Sequence, residues 1–310
     1  MPIVAQMLQV LFVLAFSPLL KGFMDRLKAR GMRRVGPPLL QPYRHLGKWL
    51  HKETVRTVHT TGFSGVVPVL YFCAPIIVTL LIPVLTTFPL PLAFMADMLG
   101  GGMILAGGGL LLLWAALDSG SPYTAIGVSR MRLIGTLGEP LVLMALFTAA
   151  AIGHSTIPYV VNQAMAAHSF FAPAHVLLLT AWFLLILTEG GRLPVDNPDS
   201  AHEFSLIDPN RTFESSGVDL ALYEWGGFMK LTVLSLILVN VLASPYGLAA
   251  SLTVPTLAGA IAVSALKLLL VGTLVVLVEL SFAKLRLMRI SEYLTFAVAL
   301  AALAAVAVGL

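Results

Sequence analysis

This sequence has little charge. Of its 310 residues, 11% are Asp, Glu, Lys or Arg and 58% are hydrophobic, whereas a soluble domain carries roughly 25% charged residues. That leaves too little polar surface to solvate a globule, so lipid is the expected solvent. It also has little cysteine: Cys73 stands alone. A lone thiol excludes a disulfide within the chain, a cysteine-ligated zinc site and an iron–sulfur cluster held by this chain by itself. There is no P-loop, dinucleotide fingerprint, Ser/His/Asp order or CxxC pair. The seven histidines are scattered without metal-ligand spacing. No catalytic residue and no metal site is therefore visible. No internal repeat is evident either, which argues against a transporter built from two related halves.

What is present is a set of long apolar runs. Eight stretches come close to the ~20 residues that a helix needs to cross a bilayer: near 2–20, 64–88, 98–117, 139–158, 174–189, 228–245, 256–280 and 290–309. The first lacks a basic flank and a small-residue cleavage site, so it reads as a retained span. Pro68, Pro75 and Pro83 suggest a kinked second span. Glycines at 100–102 and 107–109 suggest close helix packing in the third. The expected fold is all-α: one polytopic helical bundle over 1–310, with two long loops at 21–63 and 190–227.

The cations alternate along this pattern. Ten of the nineteen Lys and Arg residues fall between Lys21 and Arg56, and the connections at 118–138, 190–227 and 281–289 hold seven more. The connections at 89–97, 159–173 and 246–255 hold none. The positive-inside rule then places the basic loops in the cytoplasm of a cell membrane and both termini outside. It accounts for a pI of about 9.3 better than nucleic-acid binding does. Leu39, Tyr43, Leu46 and Leu50 share one helical face opposite Arg44, Lys48 and Lys52, which is the pattern of an interfacial amphipathic helix. Ser216, three residues before Asp219, reads as a helix N-cap.

Eight of the fifteen carboxylates lie between Glu189 and Glu224. Asp199 and Asp219 read as solvated loop charges. Glu189, Glu203 and Glu214 stand among apolar residues, and partial burial would suit them to proton relay. Glu139 opens the fourth span, where it could favour a helix N-terminus or serve as a station on a proton path. Lys267 lies deep in an apolar run. Glu279, twelve residues on, is more than three turns away, so Lys267 needs a partner on another helix or a depressed pKa. Intramembrane charges are functional by default.

Two segments make the chain resemble the membrane subunit shared by respiratory complex I and the energy-converting nickel–iron hydrogenases. One runs from Arg30 through Arg33, Arg34, Val35, Gly36, Pro37, Pro38 and Gln41 to Arg44. The other runs from Thr188 and Glu189 through Arg192, Pro194, Asp196 and Glu203 to Glu214, Gly217 and Trp225. The hydrogenase and formate hydrogenlyase branch fits better, on Gly127 to Arg130, Gly138-Glu139-Pro140 and Val278-Glu279 to Arg289. The resemblance implies a non-catalytic membrane anchor. Its loops, with Arg33, Arg34, Gly36, Pro37, Gln41, Arg192 and Asp196 as candidates, would dock a redox arm. Glu139, Glu189, Glu203, Glu214, Lys267 and Glu279 would couple electron transfer to proton or ion movement. Iron–sulfur clusters and the nickel–iron centre would belong to partners: hydrogenase-like large and small subunits and a ferredoxin-like subunit. Antiporter-like membrane subunits would complete the assembly. The chain departs from the pattern at Leu206-Ile207-Asp208-Pro209-Asn210-Arg211, at Ser215 and at His45. Rival readings are a quinone-site subunit of an NADH–quinone-type dehydrogenase, a stand-alone ion transporter and an inert anchor.

Overall fold

A computed structural model describes residues 2–95, 97–167, 170–197, 206–243 and 246–309. Among the described residues the chain is helical, with no strand. Its helices are α1 (Pro2–Gly31), α2 (Gln41–Leu50), α3 (Val67–Leu81), α4 (Met98–Asp118), α5 (Pro122–Gly153), α6 (Pro158–Ala167), α7 (Pro173–Glu189), α8 (Gly217–Leu236), α9 (Val254–Ser281) and α10 (Leu287–Ala307). A π-helical stretch, Ile237–Ala243, prolongs α8. Six of these helices are long and apolar enough to cross a membrane: α1, α4, α5, α8 with its π stretch, α9 and α10. The apolar helices α3 and α7 are shorter.

α8 is the most enclosed of the long helices, and α9 and α10 are the least. α3 packs between α4 and α8, α1 lies against α9 and α8, and α10 covers α5 and α7. The core runs through Trp182, Leu185, Leu234 and Leu146, all nearly fully buried. Gly102 and Gly108 lie on contact faces of α4. A Cβ on Gly102 would meet Leu146 Cδ1 at 2.7 Å, and one on Gly108 would meet Ala74 Cβ at 3.2 Å.

Several elements differ from the sequence expectation. The connection at 118–138 is mostly helix, because α5 begins at Pro122. A short helix, α6, occupies much of the segment at 159–173. α8 starts at Gly217, eleven residues before the expected span at 228. Ser216 does stand at its N-cap, but its hydroxyl makes no cap bond. It donates instead to the Val55 carbonyl at 2.9 Å and accepts from Val55 N–H at 2.8 Å, pinning the first loop across the start of α8. On α2, Leu46 is buried and Arg44 and Lys48 are exposed as the amphipathic pattern requires, but Leu50 is exposed as well.

The expected continuous span at 64–88 is also interrupted. α3 ends at Leu81, leaving Pro83 beyond the helix. Fifteen helical residues reach about 22 Å, short of the ~30 Å hydrocarbon core. Non-helical backbone at membrane depth is tolerated only when buried in protein, and Ile82, Val84 and Leu85 are buried. Side chains from distant helices bind the freed carbonyls. Gln9 Nε2 donates to the Thr79 carbonyl and, at 3.4 Å, to Ile82. Asn240 Nδ2 and Ser264 Oγ reach the Val84 carbonyl at 3.0 and 3.2 Å.

Pro18 illustrates the same rule. It lies inside α1 and cannot donate to the carbonyl four residues back. That Leu14 carbonyl accepts from Trp225 Nε1 at 3.1 Å, and the neighbouring Ala15 carbonyl accepts from Tyr43 Oη. A defect in one helix thus becomes an anchor for α8 and α2.

Candidate functional site

The site is built where α7 ends against α8 and α5. Glu189 is the last residue of α7. Gly190 closes the helix, and Gly191 follows at φ +58°, a left-handed turn that a side chain would strain. The turn brings Glu189 Oε2 to 2.5 Å from Lys230 Nζ on α8, with side chains only 10% and 11% exposed. Gly138 on α5 leaves room for the same carboxylate: a Cβ there would stand 3.2 Å from Glu189 Oε1. Glu139 follows on α5 and, with Glu189, Lys230 and Arg211, lines a cavity of about 40 Å³. It lies well inside a 32-residue helix rather than opening one, so the helix-terminus explanation for this carboxylate fails.

Arg211 comes from the turn Pro209–Thr212, which seats on α5 at Gly127. A Cβ on Gly127 would approach Asn210 Cβ to 2.7 Å and Arg211 N to 3.3 Å. The guanidinium is buried and ion-paired with Asp208 through Nη2, while its Nε has no hydrogen-bond partner among the described residues. Burial pulls it below the ordinary guanidinium range, against the upward pull of Tyr71, Glu189 and Asp196. Arg211 and Glu189 also line a larger cleft of about 120 Å³ with Asp208, Lys21 and Tyr223. Glu214 lies in a third cavity, of about 40 Å³, with Arg56, Asp219 and again Arg211.

A second buried cluster surrounds Glu279, which is 4% exposed. Arg192 Nη1 stands 3.5 Å from Glu279 Oε1 and 3.9 Å from Asp25 Oδ1, and Lys28 Nζ stands 3.9 Å from Glu279 Oε2. Arg192 also lines the larger cleft, so the two clusters adjoin there. Asp196 is an internal strut. It pairs with Lys284 at 2.7 Å and accepts from the backbone N–H groups of Ile207 and Asp208 at 3.1 and 2.9 Å. Arg192 and Asp196 are 3% and 1% exposed on this chain.

The remaining candidates lie elsewhere. Arg33 and Arg34 are exposed, with Gly36 and Pro37 half-buried beside them. Gln41 contacts His45 at 2.7 Å. Glu203 lies outside the described residues. Lys267 lies on α9. Its ammonium donates to Asn240 Oδ1 at 3.1 Å and to the Tyr246 carbonyl at 2.8 Å. Asn240 lies ten residues beyond Lys230 on the same helix, about 15 Å along its axis. Among the described residues no three His, Cys, Asp or Glu side chains gather closely enough to hold a metal ion.

Sequence reasoning missed Lys230 and Arg211 as members of the site. Lys230 carried a weaker signal than Lys267, a cation at the edge of an apolar run instead of deep within one. Arg211 carried none, because a loop arginine looks alike whether buried or exposed.

The fold and these buried ion pairs define a polytopic helical membrane protein with a charged interior. The chain belongs to the NADH dehydrogenase family, whose model matches residues 4–309. It is 30% identical over 289 residues to formate hydrogenlyase subunit 4 of Escherichia coli strain K12, covering 93% of this chain and 92% of that one. It is 28% identical over 296 residues to hydrogenase-4 component C of the same organism, covering 96% and 92%. Among solved structures, a chain of the membrane-bound sulfane sulfur reductase, an archaeal respiratory membrane complex, matches with a TM-score of 0.85 over 99% of both chains. At 21% identity that likeness shows a shared fold.

Proposed function

We propose that this chain is the membrane-anchor subunit of a hydrogenase-type, complex I-like oxidoreductase. In this reading it spans a cell membrane eight times as one integral domain over 1–310. The six long apolar helices are joined by α3 and α7, whose shortness is offset by the buried irregular backbone and the helix-ending turns that follow them. The basic segments face the cytoplasm and both termini face outward. The exposed loop with Arg33, Arg34, Gly36, Pro37 and Gln41 docks a peripheral arm of hydrogenase-like large and small subunits and a ferredoxin-like subunit. Antiporter-like subunits share the membrane.

The observation that carries this reading is the match to hydrogenase membrane subunits over nearly the whole length of both chains. The buried Glu189–Lys230 pair beside Glu139 extends it. A charge change in an adjoining arm shifts the protonation of nearby carboxylates by 1–3 pK units, which makes this cluster the coupling element. Nickel–iron and iron–sulfur chemistry belongs to the arm. Cys73 is the sole cysteine here, so a cysteine-bound cluster takes its ligands from another chain.

Affinity purification of the tagged chain from its native membrane tests the reading. Hydrogenase-like subunits are expected to co-purify, with hydrogen evolution or uptake in the eluate. Glu189→Gln is expected to keep that turnover and lower the ions moved per turnover. Recovery of the chain alone, active as an ion carrier in liposomes, would overturn the proposal. Quinone reduction without hydrogen chemistry would assign the chain to the NADH–quinone branch instead.

A further inference from the structure

The cations of the first loop stand at two heights. Helix α1 is uncharged from Pro2 to Leu20. That stretch spans about 28 Å, nearly the whole ~30 Å hydrocarbon core, so Lys21 and Gly22 mark where the lipid headgroups begin. α1 continues to Gly31, about 14 Å further out, and Arg33 and Arg34 are exposed beyond its end. The chain then doubles back along α1. A Cβ on Gly36 would meet Ala29 Cβ at 3.0 Å and Arg26 Cα at 3.1 Å. One on Gly22 would strike the Leu39 carbonyl and stand 3.1 Å from Pro42 Cδ. α2 therefore starts at the headgroup level, on the membrane side of Arg33 and Arg34.

The far end of this segment lies at the same height. A Cβ on Gly217, the first residue of α8, would meet the carbonyls of Glu53 and Lys52 at 2.5 and 2.8 Å. Trp225 on α8 donates to the Leu14 carbonyl on α1, which levels the two helices against each other. Gly22 is eight residues from Leu14, and Gly217 is eight from Trp225, about 12 Å along each axis. The segment from Leu39 to Glu53 thus runs along the membrane surface. Tyr43 ties it down, donating to the Ala15 carbonyl of α1.

Arg44, Lys48 and Lys52 are exposed on this in-plane segment. Among the described residues none of the three has an ion pair, whereas Lys21, Lys28 and Arg56 of the same loop pair with Asp25, Glu279 and Asp219. Leu50, on the opposite, apolar face, is 41% exposed. Water solvates free cations at any height; cations held at headgroup height above an exposed leucine fit a lipid. A basic cluster on an interfacial helix attracts anionic headgroups while its apolar face meets acyl chains. We propose that Arg44, Lys48 and Lys52 form a docking surface for the headgroups of anionic phospholipids, with Leu50 against their acyl chains. Arg33 and Arg34 stand too far out to share it and stay available to the peripheral arm. The inference goes beyond the anchor role and holds whichever enzyme the chain serves.

The test places a fluorophore on Gly47→Cys of α2, where a Cβ meets nothing within 4 Å. The full-length chain, with Cys73→Ser, is reconstituted in phosphatidylcholine vesicles at low salt. A small fraction of nitroxide-bearing phosphatidylglycerol or phosphatidylcholine, labelled near the top of the acyl chain, quenches the fluorophore. The phosphatidylglycerol probe is expected to be enriched at least about fivefold over the phosphatidylcholine probe, the effect of one Lys or Arg at a membrane surface. Salt at about 1 M, which shortens the screening length to ~3 Å, is expected to abolish the preference. The combined variant Arg44→Gln, Lys48→Gln, Lys52→Gln is expected to abolish it too, and the pair Arg33→Gln, Arg34→Gln to keep it. Equal quenching by the two probes with all the cations in place overturns the proposal and leaves this face to the peripheral arm. A preference that survives salt or the α2 substitutions also overturns it. So does one that falls as far with the Arg33 and Arg34 substitutions, because the attraction would then belong to the basic loop as a whole.

Discussion

Replacing Lys230 by methionine removes the partner of Glu189 at 2.5 Å while filling nearly the same volume. Both side chains are about nine-tenths buried, and truncating one member of a buried ion pair costs ~3–5 kcal/mol. A ceiling follows from the alternative open to the stranded acid. Protonating an ordinary glutamate at pH 7 costs about 3.7 kcal/mol, so the penalty levels off near ~4 kcal/mol. Glu189→Gln strands the ammonium instead and should cost a similar amount. The double variant strands neither charge, so it should be less destabilised than either single one. The expected coupling energy is then at least the cost of one single variant, ~4 kcal/mol, above the usual range for residues in contact. Denaturant titration of the purified chain in detergent measures all four corners of the cycle, with heating followed by size exclusion as a second readout. Additive single effects would refute the reasoning, because they would mean that the pair is solvated and each charge has found water.

Two further outcomes follow from packing and buried polar groups. Gly127→Ala should destabilise by ~1–3 kcal/mol, since its methyl would meet the Asn210–Arg211 backbone. Gly107→Ala, with nothing within 4 Å, should stabilise by up to ~1 kcal/mol through helix propensity, and the same titration separates the two. Asn240→Leu removes the donor to the Val84 carbonyl and an acceptor of Lys267. Each keeps another partner, Ser264 Oγ and the Tyr246 carbonyl, so the expected cost is that of the lost hydrogen bonds, ~0.5–1.5 kcal/mol each. Faster hydrogen exchange at residues 82–90 and 237–243 would check it.

The helical and apolar character of the chain was legible from its residues because membrane partitioning depends on local composition. The ends of its elements were not. The run at 64–88 reads as uniformly apolar, yet α3 stops at Leu81, where Gln9 takes the Thr79 carbonyl and Asn240 and Ser264 take that of Val84 just beyond the helix. Glu139 looked terminal because the polar stretch before it resembles a loop, although residues from Pro122 onward are helical. Glu189 was identifiable as a carboxylate among apolar residues, but its partner was not. That Arg192 and Asp196 are enclosed by the folded chain was not legible either, because a loop charge looks alike buried or exposed.

The sequence by itself determined the solvent, the secondary structure class and the family, since all three follow from which residue types stand near one another along the chain. The tertiary structure decided which charges are paired, which are enclosed and where they meet water. Glu189 finds Lys230 across 41 residues, and Arg192 finds Glu279 across 87. Ion pairing falls off over a few ångströms, so only the folded path of the chain brings such groups within range.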